Sequence, residues 1–216
     1  MRRMLAALGI VTALAVPALA QEKPQPAEDR KIEMTAEAVV SENRRESFVR
    51  PNIFYKIGGL DAYTFFEFYG NEEYFGKTMV SRTWKGVGPT GELVVGSDTR
   101  NRIGAGIKYS PELPEYVSLS AKFLPVWLDT DGRENRMMLG YSGSLKLPWN
   151  FDVSTFGEMN LGGDAEWGYG EISAGRNFGN LRIAYNTLLK NVDVNQGERK
   201  RLMPRVEHAF CASYKF

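Results

Sequence analysis

Near its C-terminus the chain changes character at every residue. From Val206 the even positions are Val206, His208, Phe210, Ala212, Tyr214 and Phe216, whereas the odd positions are Arg205, Glu207, Ala209, Cys211, Ser213 and Lys215. Side chains of an extended strand point alternately to opposite faces, so this period of two lays an apolar face against a polar one. The pattern recurs upstream. Ile103, Ala105, Ile107 and Tyr109 oppose Arg102, Gly104, Gly106 and Lys108, and Val117, Leu119, Ala121, Phe123 and Trp127 oppose Ser118, Ser120 and Lys122. Met137, Leu139, Tyr141 and Leu145 oppose Arg136, Gly140, Ser142 and Lys146; Leu181, Ile183, Tyr185 and Leu189 oppose Arg182, Ala184, Asn186 and Lys190.

Two architectures carry such faces. A soluble sandwich or barrel turns the apolar face inward, and a transmembrane barrel turns it outward to lipid. Several segments exceed the usual strand of about 5–6 residues and reach the ~9–11 that a membrane requires. Their polar faces combine Gly, Ser and long charged residues, which suits an interior of ion pairs and water. The expected fold is therefore an all-β, up-and-down antiparallel transmembrane β-barrel over residues 31–216. Twelve strands are read at 31–40, 47–57, 61–70, 74–86, 91–97, 101–110, 115–128, 134–147, 150–160, 167–178, 180–190 and 202–216. The first is the weakest, because its alternation of Ile32, Met34, Ala36 and Ala38 with Glu33, Thr35 and Glu37 is built from good helix formers. Ten strands result if it and 47–57 are lost.

With both termini at one end, the connections expected at the far end are SENRRE, NEE, DTR, DTDGR, LGGDAE and a long NVDVNQGERKR. Those at the near end are the shorter GGL, VGPT, PELP, PW and the turn at Gly179-Asn180. This asymmetry is that of outer-membrane barrels. Trp127 and Trp167 then fall at the far rim and Trp84 and Trp149 at the near rim, as interfacial girdles require.

Composition narrows the function. Lys and Arg number 27 against 26 Asp and Glu, which removes the basic face expected of a partner for nucleic acid polymers. One cysteine excludes a disulfide framework and a thiolate zinc cage. A mean hydropathy of -0.33, with no long apolar run beyond the start, leaves no helical membrane span. At the start, Arg2 and Arg3 precede an apolar Met4–Val16 stretch, Pro17 and Ala18-Leu19-Ala20. Residues 1–20 read as a secretory signal peptide cleaved near Ala20, residues 21–30 as a flexible linker, and the barrel as a resident of the cell outer membrane.

The terminal HAFCASYKF resembles the final-strand signal of bacterial outer-membrane proteins, with Tyr214 and Phe216 as its aromatic positions. That resemblance implies recognition by the barrel assembly machinery through edge pairing. Asp61-Ala-Tyr63-Thr-Phe-Phe-Glu67, followed by Glu73-Tyr74-Phe75, resembles the early hairpin of the nucleoside-specific channel (Tsx-like) family. The resemblance implies a narrow twelve-stranded barrel that passes nucleosides through a lumen of aromatic and ionisable residues.

Catalytic groups are scarce. The one histidine, His208, falls on the apolar face, and Cys211 faces inward with no second histidine to activate it. DTDGRE at 129–134 opens like a calcium loop but lacks the later bidentate glutamate. No catalytic residue, metal site or cofactor is expected. The candidate site is the lumen wall. Tyr63, Phe65 and Tyr69 share a face with Glu67, an arrangement suited to stacking and polar contacts. The cations are Lys77, Arg102, Lys108, Lys122, Arg136, Lys146, Arg182, Arg205 and Lys215, and the remaining anions are Glu92, Asp152, Glu158, Glu171 and Glu207. Buried charges must pair or stay wet. They make either a closed electrostatic core or a narrow polar pore. The favoured function is passive diffusion of a small hydrophilic solute, with nucleosides as one class. The alternatives are a closed structural or adhesion barrel acting through its far-side loops, especially Asn191–Arg201, and then an outer-membrane enzyme. Partners on this reading are outer-membrane lipid, the assembly machinery and the solute.

Overall fold

A computed structural model describes residues 31–42, 47–70, 73–97, 101–129, 135–161, 167–196 and 199–216. The expected leader and linker at 1–30 lie outside these residues, as do residues 130–134 of the acidic turn and 162–166 of the glycine-rich one. The strands are β1 (Lys31–Ser41), β2 (Phe48–Ile57), β3 (Leu60–Tyr69), β4 (Tyr74–Ser81), β5 (Val87–Gly96) and β6 (Arg102–Tyr109). They continue as β7 (Val117–Asp129), β8 (Asn135–Lys146), β9 (Phe151–Leu161), β10 (Trp167–Phe178), β11 (Leu181–Gln196) and β12 (Arg199–Lys215). A 3₁₀ turn spans Pro148–Asn150, and no helix among the described residues is long and apolar enough to cross a membrane.

Each strand pairs antiparallel with the next, and β1 pairs with β12 from Thr35 opposite Lys215 to Ser41 opposite Ala209. The ring is closed, so the weak first segment is a strand and the count is twelve. Closure gives every strand of the wall a partner on both sides, so no strand there is an edge strand.

The wall is inside-out relative to a soluble protein. Phe210 is 67% exposed, whereas Glu207, three residues earlier on the same strand, is 2% exposed. Ile32, Val40, Phe68, Ile107 and Ile172 join Phe210 on the outer surface. A continuous apolar exterior around a charged interior is the polarity of a membrane barrel.

Four local expectations need correction. Trp127 does not join the outer girdle. The β7–β8 register shifts between Leu124 and Trp127, so both residues point into the lumen although they are three apart, and Trp127 is 4% exposed. Gly104 makes room for its ring, because a Cβ there would overlap the Trp127 side chain. The VGPT segment is strand rather than turn. The reversal is at Lys85–Gly86, where φ values of 51° and 82° supply the left-handed pair of a two-residue hairpin, closed by Trp84 N–H to Val87 O at 2.8 Å and its reciprocal at 3.1 Å. Connection lengths do not separate the two ends as expected, since residues 110–116 form a long near-side connection. Finally, Asn191–Arg201 is not a long loop. β11 and β12 continue as a ladder from Asn191 opposite Pro204 to Gln196 opposite Arg199, leaving only residues 197–198 between them.

That ladder outruns its neighbours. β10 pairs with β11 only up to Lys190, and β1 pairs with β12 only from Ala209 onward. Six residues at ~3.4 Å each carry the two-stranded extension about 20 Å past the last β10 partner. Replacing residues 192–203 by an Asn-Gly turn should therefore leave the barrel intact. Thermal unfolding in detergent is expected within a few degrees of the parent protein, with heat-modifiable gel migration retained; loss of that migration would show that the extension supports the wall.

Candidate functional site

The inward faces converge on two polar networks. The first joins Lys77 of β4, Glu92 of β5, Lys122 of β7 and Glu158 of β9. Lys77 Nζ lies 3.0 Å from Glu92 Oε1 and 2.5 Å from Glu158 Oε2. Lys122 Nζ pairs with Glu92 Oε2 and lies 2.7 Å from Glu158 Oε1. β4 and β9 are five places apart in a ring of twelve, so the Lys77–Glu158 pair reaches across the lumen. All four side chains are largely shielded from solvent. Gly140 allows the layer to form, because the aliphatic stem of Lys122 occupies the space that a Cβ at that position would fill.

The second network centres on Arg50 of β2. Its Nε and Nη2 donate to Glu67 Oε1 at 2.9 and 2.6 Å, and its Nη1 donates to Glu37 Oε2 at 3.2 Å. Glu171 Oε2 of β10 lies 3.9 Å from Nη2, which again links distant strands. The acceptors are held in turn. The Tyr69 hydroxyl donates to Glu67 Oε2 at 2.5 Å, the Tyr169 hydroxyl to Glu171 Oε2 at 3.1 Å, and Asn186 Nδ2 to Glu171 Oε1 at 2.9 Å. The Arg50 guanidinium sits 4.8 Å from the Phe48 ring centre and 5.4 Å from that of Phe65. A neighbouring pair, Arg182 Nη2 to Asp152 Oδ1 at 2.5 Å, connects through Ser173, which accepts from Arg182 at 3.0 Å and donates to Asn186 at 2.7 Å.

Apolar clusters fill the lumen toward the far end. Val94, Leu124, Trp127 and Met138 pack with Phe75, and Val39, Phe48, Ala184, Ala209 and Cys211 pack with Tyr69. The near half between β6 and β8 is more open and polar. Ser118 faces Ser144 at 2.7 Å and Ser120 faces Ser142 at 2.8 Å between hydroxyls, and all four are partly or fully exposed. Lys108 Nζ donates to Ser81 Oγ at 3.4 Å in this half, and Lys146 is exposed at its mouth.

The sequence reading thus placed Glu67, Tyr69, Lys77, Glu92, Lys122, Asp152, Glu158, Glu171 and Arg182 on the wall where they meet. Tyr63 and Phe65 are there too, but engaged: Tyr63 stacks on Phe54 at 4.5 Å and donates to Asn52 Oδ1 at 2.8 Å, and Phe65 lies beneath Arg50. Arg102 is half-buried on β6. Arg205 is exposed toward the far rim, with its Nε 3.1 Å from Glu207 Oε1, and Lys215 Nζ reaches Glu33 Oε2 at 2.9 Å near the chain end. The side chain of Arg136 lies outside the described residues. The organising cation, Arg50, was missed together with Asn52 and Tyr169, whereas Glu37 and Asn186 were read on polar faces but not as part of the site. The even positions Phe48, Arg50 and Asn52 of the second segment held the available signal. Outside the lumen, His208 stacks on Tyr185 at 5.6 Å, and the rings of Tyr214 and Phe216 meet edge to face at 5.2 Å.

No protein-family model matches the chain, and no curated protein matches it. Among solved structures, a chain from work on the in meso crystallization of membrane proteins aligns with a TM-score of 0.50 at 10% identity, over 85% of this chain and 84% of that one. An outer membrane channel from Pseudomonas putida F1 aligns with a TM-score of 0.43 at 10% identity, over 90% of this chain and 100% of that one. The first likeness is one of fold: the chain shares its architecture with a structurally determined membrane protein.

Arg50 is the test of the second network. Without it, Glu37, Glu67 and Glu171 face one another with their common cation gone. Arg50→Leu should lower the unfolding free energy by about 3–5 kcal/mol, the usual cost of stranding a buried charge. Urea unfolding in detergent micelles measures this, and a change below about 1 kcal/mol would mean that water already screens the carboxylates.

Proposed function

We propose that the chain is exported by residues 1–20, is received by the barrel assembly machinery through Tyr214 and Phe216, and resides in the outer membrane. There it works as a narrow passage for small hydrophilic solutes, held shut at mid-height by the Lys77–Glu92–Lys122–Glu158 layer. Its apolar outer wall supports membrane residence.

The observation that carries the function is the cross-lumen layer. A wall needed only for support gains little from buried ion pairs, because their desolvation cost offsets much of the Coulomb attraction and well-packed apolar residues serve as well. Here each lysine touches both carboxylates, so one lysine can swing aside while the other still bridges the pair. Beneath the layer, serines and Lys108 provide groups that can replace a solute's water. Two lysines and two glutamates sum to zero formal charge, which favours uncharged polar solutes over ions of either sign. A nucleoside preference finds no support in the Tyr63–Phe65–Glu67–Tyr69 patch, whose groups are already committed to Asn52, Phe54 and Arg50.

Planar-bilayer recording tests the passage. The parent protein should give small, infrequent openings. Removing the pair that spans the lumen with Lys77→Ser/Glu158→Ser, which leaves the Lys122–Glu92 pair and the net charge unchanged, should raise mean conductance several-fold. Conductance no greater than bare bilayer in both proteins would sink the channel and leave a closed barrel.

A further inference from the structure

Arg176 interrupts an otherwise uncharged wall. Where strands are paired on both sides, the outward positions among the described residues carry no other Asp, Glu, Lys or Arg. The residue lies on β10 two places before Phe178, close to the near-side end of the strand. Its direction follows from its neighbour: a Cβ on Gly175 would meet Ala184 and Arg182, both inside the lumen, so Arg176 faces out. Its guanidinium carbon sits 5.2 Å from the Phe151 ring centre and 5.2 Å from that of Phe178. The two rings come from adjacent strands, since Phe151 is the cross-strand partner of Arg176.

This clamp holds a cation without giving it an anion. Among the described residues no carboxylate forms an ion pair with Arg176. Every charged group of the two lumen networks has such a partner, so a lone arginine on the apolar side stands apart. Charge on the lipid face is most costly at the bilayer centre and nearly free of cost at its edge. The surroundings agree with an edge position. Trp149, in the adjoining turn, is 81% exposed, and Asn177 Nδ2 donates to Asn150 O at 3.2 Å, tying that turn to β10 beside Arg176. Aromatic rings at strand ends mark the headgroup level, and the planar guanidinium fork matches two oxygens of a phosphate.

We propose that Arg176, clamped between Phe151 and Phe178, binds the phosphate of a phospholipid in the leaflet on the side of the chain termini. The site rests on the outer-membrane reading, and the experiment separates the two. The purified protein is placed in maltoside micelles doped with either dioleoylphosphatidylglycerol or dioleoylglycerol, which has the same tails and no phosphate. Heat-modifiable migration is checked first; a protein that stays aqueous and does not shift overturns the membrane reading and the site with it. Native mass spectrometry then counts bound lipid. The parent protein should retain the phospholipid about fivefold over dioleoylglycerol, the ratio for one basic residue at a lipid surface. Arg176→Gln should lose that excess. Should Arg176→Gln fail to insert, Phe151→Leu/Phe178→Leu keeps the charge, removes the clamp and should lower the excess at least twofold. Equal retention of both lipids by the parent, or an undiminished excess in the variant that inserts, overturns the site.

Discussion

Pairing of β1 with β12 is the interaction on which the rest of the barrel depends. In hydrocarbon no water is available to backbone N–H and C=O groups, so a sheet crossing it must have no edge. The Thr35–Ser41 segment supplies the last ladder, and it does so in one register. A slip of one residue would turn every side chain of β1 to the other face. Glu37 would leave Arg50, and Val40 would enter the lumen in place of Val39. The alternating composition of β1, weak as a local signal, is thus fixed by what its two neighbours require.

Once the ring is closed, the interior has to accommodate charge in little space. Placing ion-pair partners on nonadjacent strands lets the side chains fill the lumen that the strands enclose. Lys77 to Glu158 and Arg50 to Glu171 both span several strands, so the two networks stitch opposite parts of the wall together. The apolar clusters around Trp127 and Val39 complete the filling toward the far end. Between β6 and β8 the near half keeps smaller hydroxyls and unclustered lysines. In that sector the gradient from wet serines to paired charges to packed apolar groups makes the mid-lumen layer the natural point of closure.

Much of this was legible in the sequence because alternation has one physical cause. Glu92, Lys122, Glu158 and Glu171 could be placed on the inner face from parity alone. Parity does not say who meets whom across a lumen, so the fourfold layer was invisible. It also fails where the strand gains a residue, which is why Trp127 was read outward: the bulge after Leu124 reverses the count. Asn191–Arg201 looked like a loop because its polar, charged composition lacks a lipid face, yet a two-stranded extension beyond the wall needs none. Arg176 is legible by the same parity, since an inward Glu171 on β10 puts Arg176 outside.

The most direct test of ring closure uses the single native cysteine. Val39 and Cys211 are cross-strand partners on β1 and β12, both inward and buried. Directly opposite Cα atoms in an antiparallel pair are ~4.5–5.5 Å apart, within the ~4.4–6.8 Å that a disulfide spans. Val39→Cys should therefore oxidise within the molecule and give a faster-migrating band on denaturing, non-reducing gels, whereas Val40→Cys, one residue away and facing out, should not. A Val39→Cys protein that stays reduced or links only between molecules, or a Val40→Cys protein that forms the internal bond instead, would contradict the closed ring in this register.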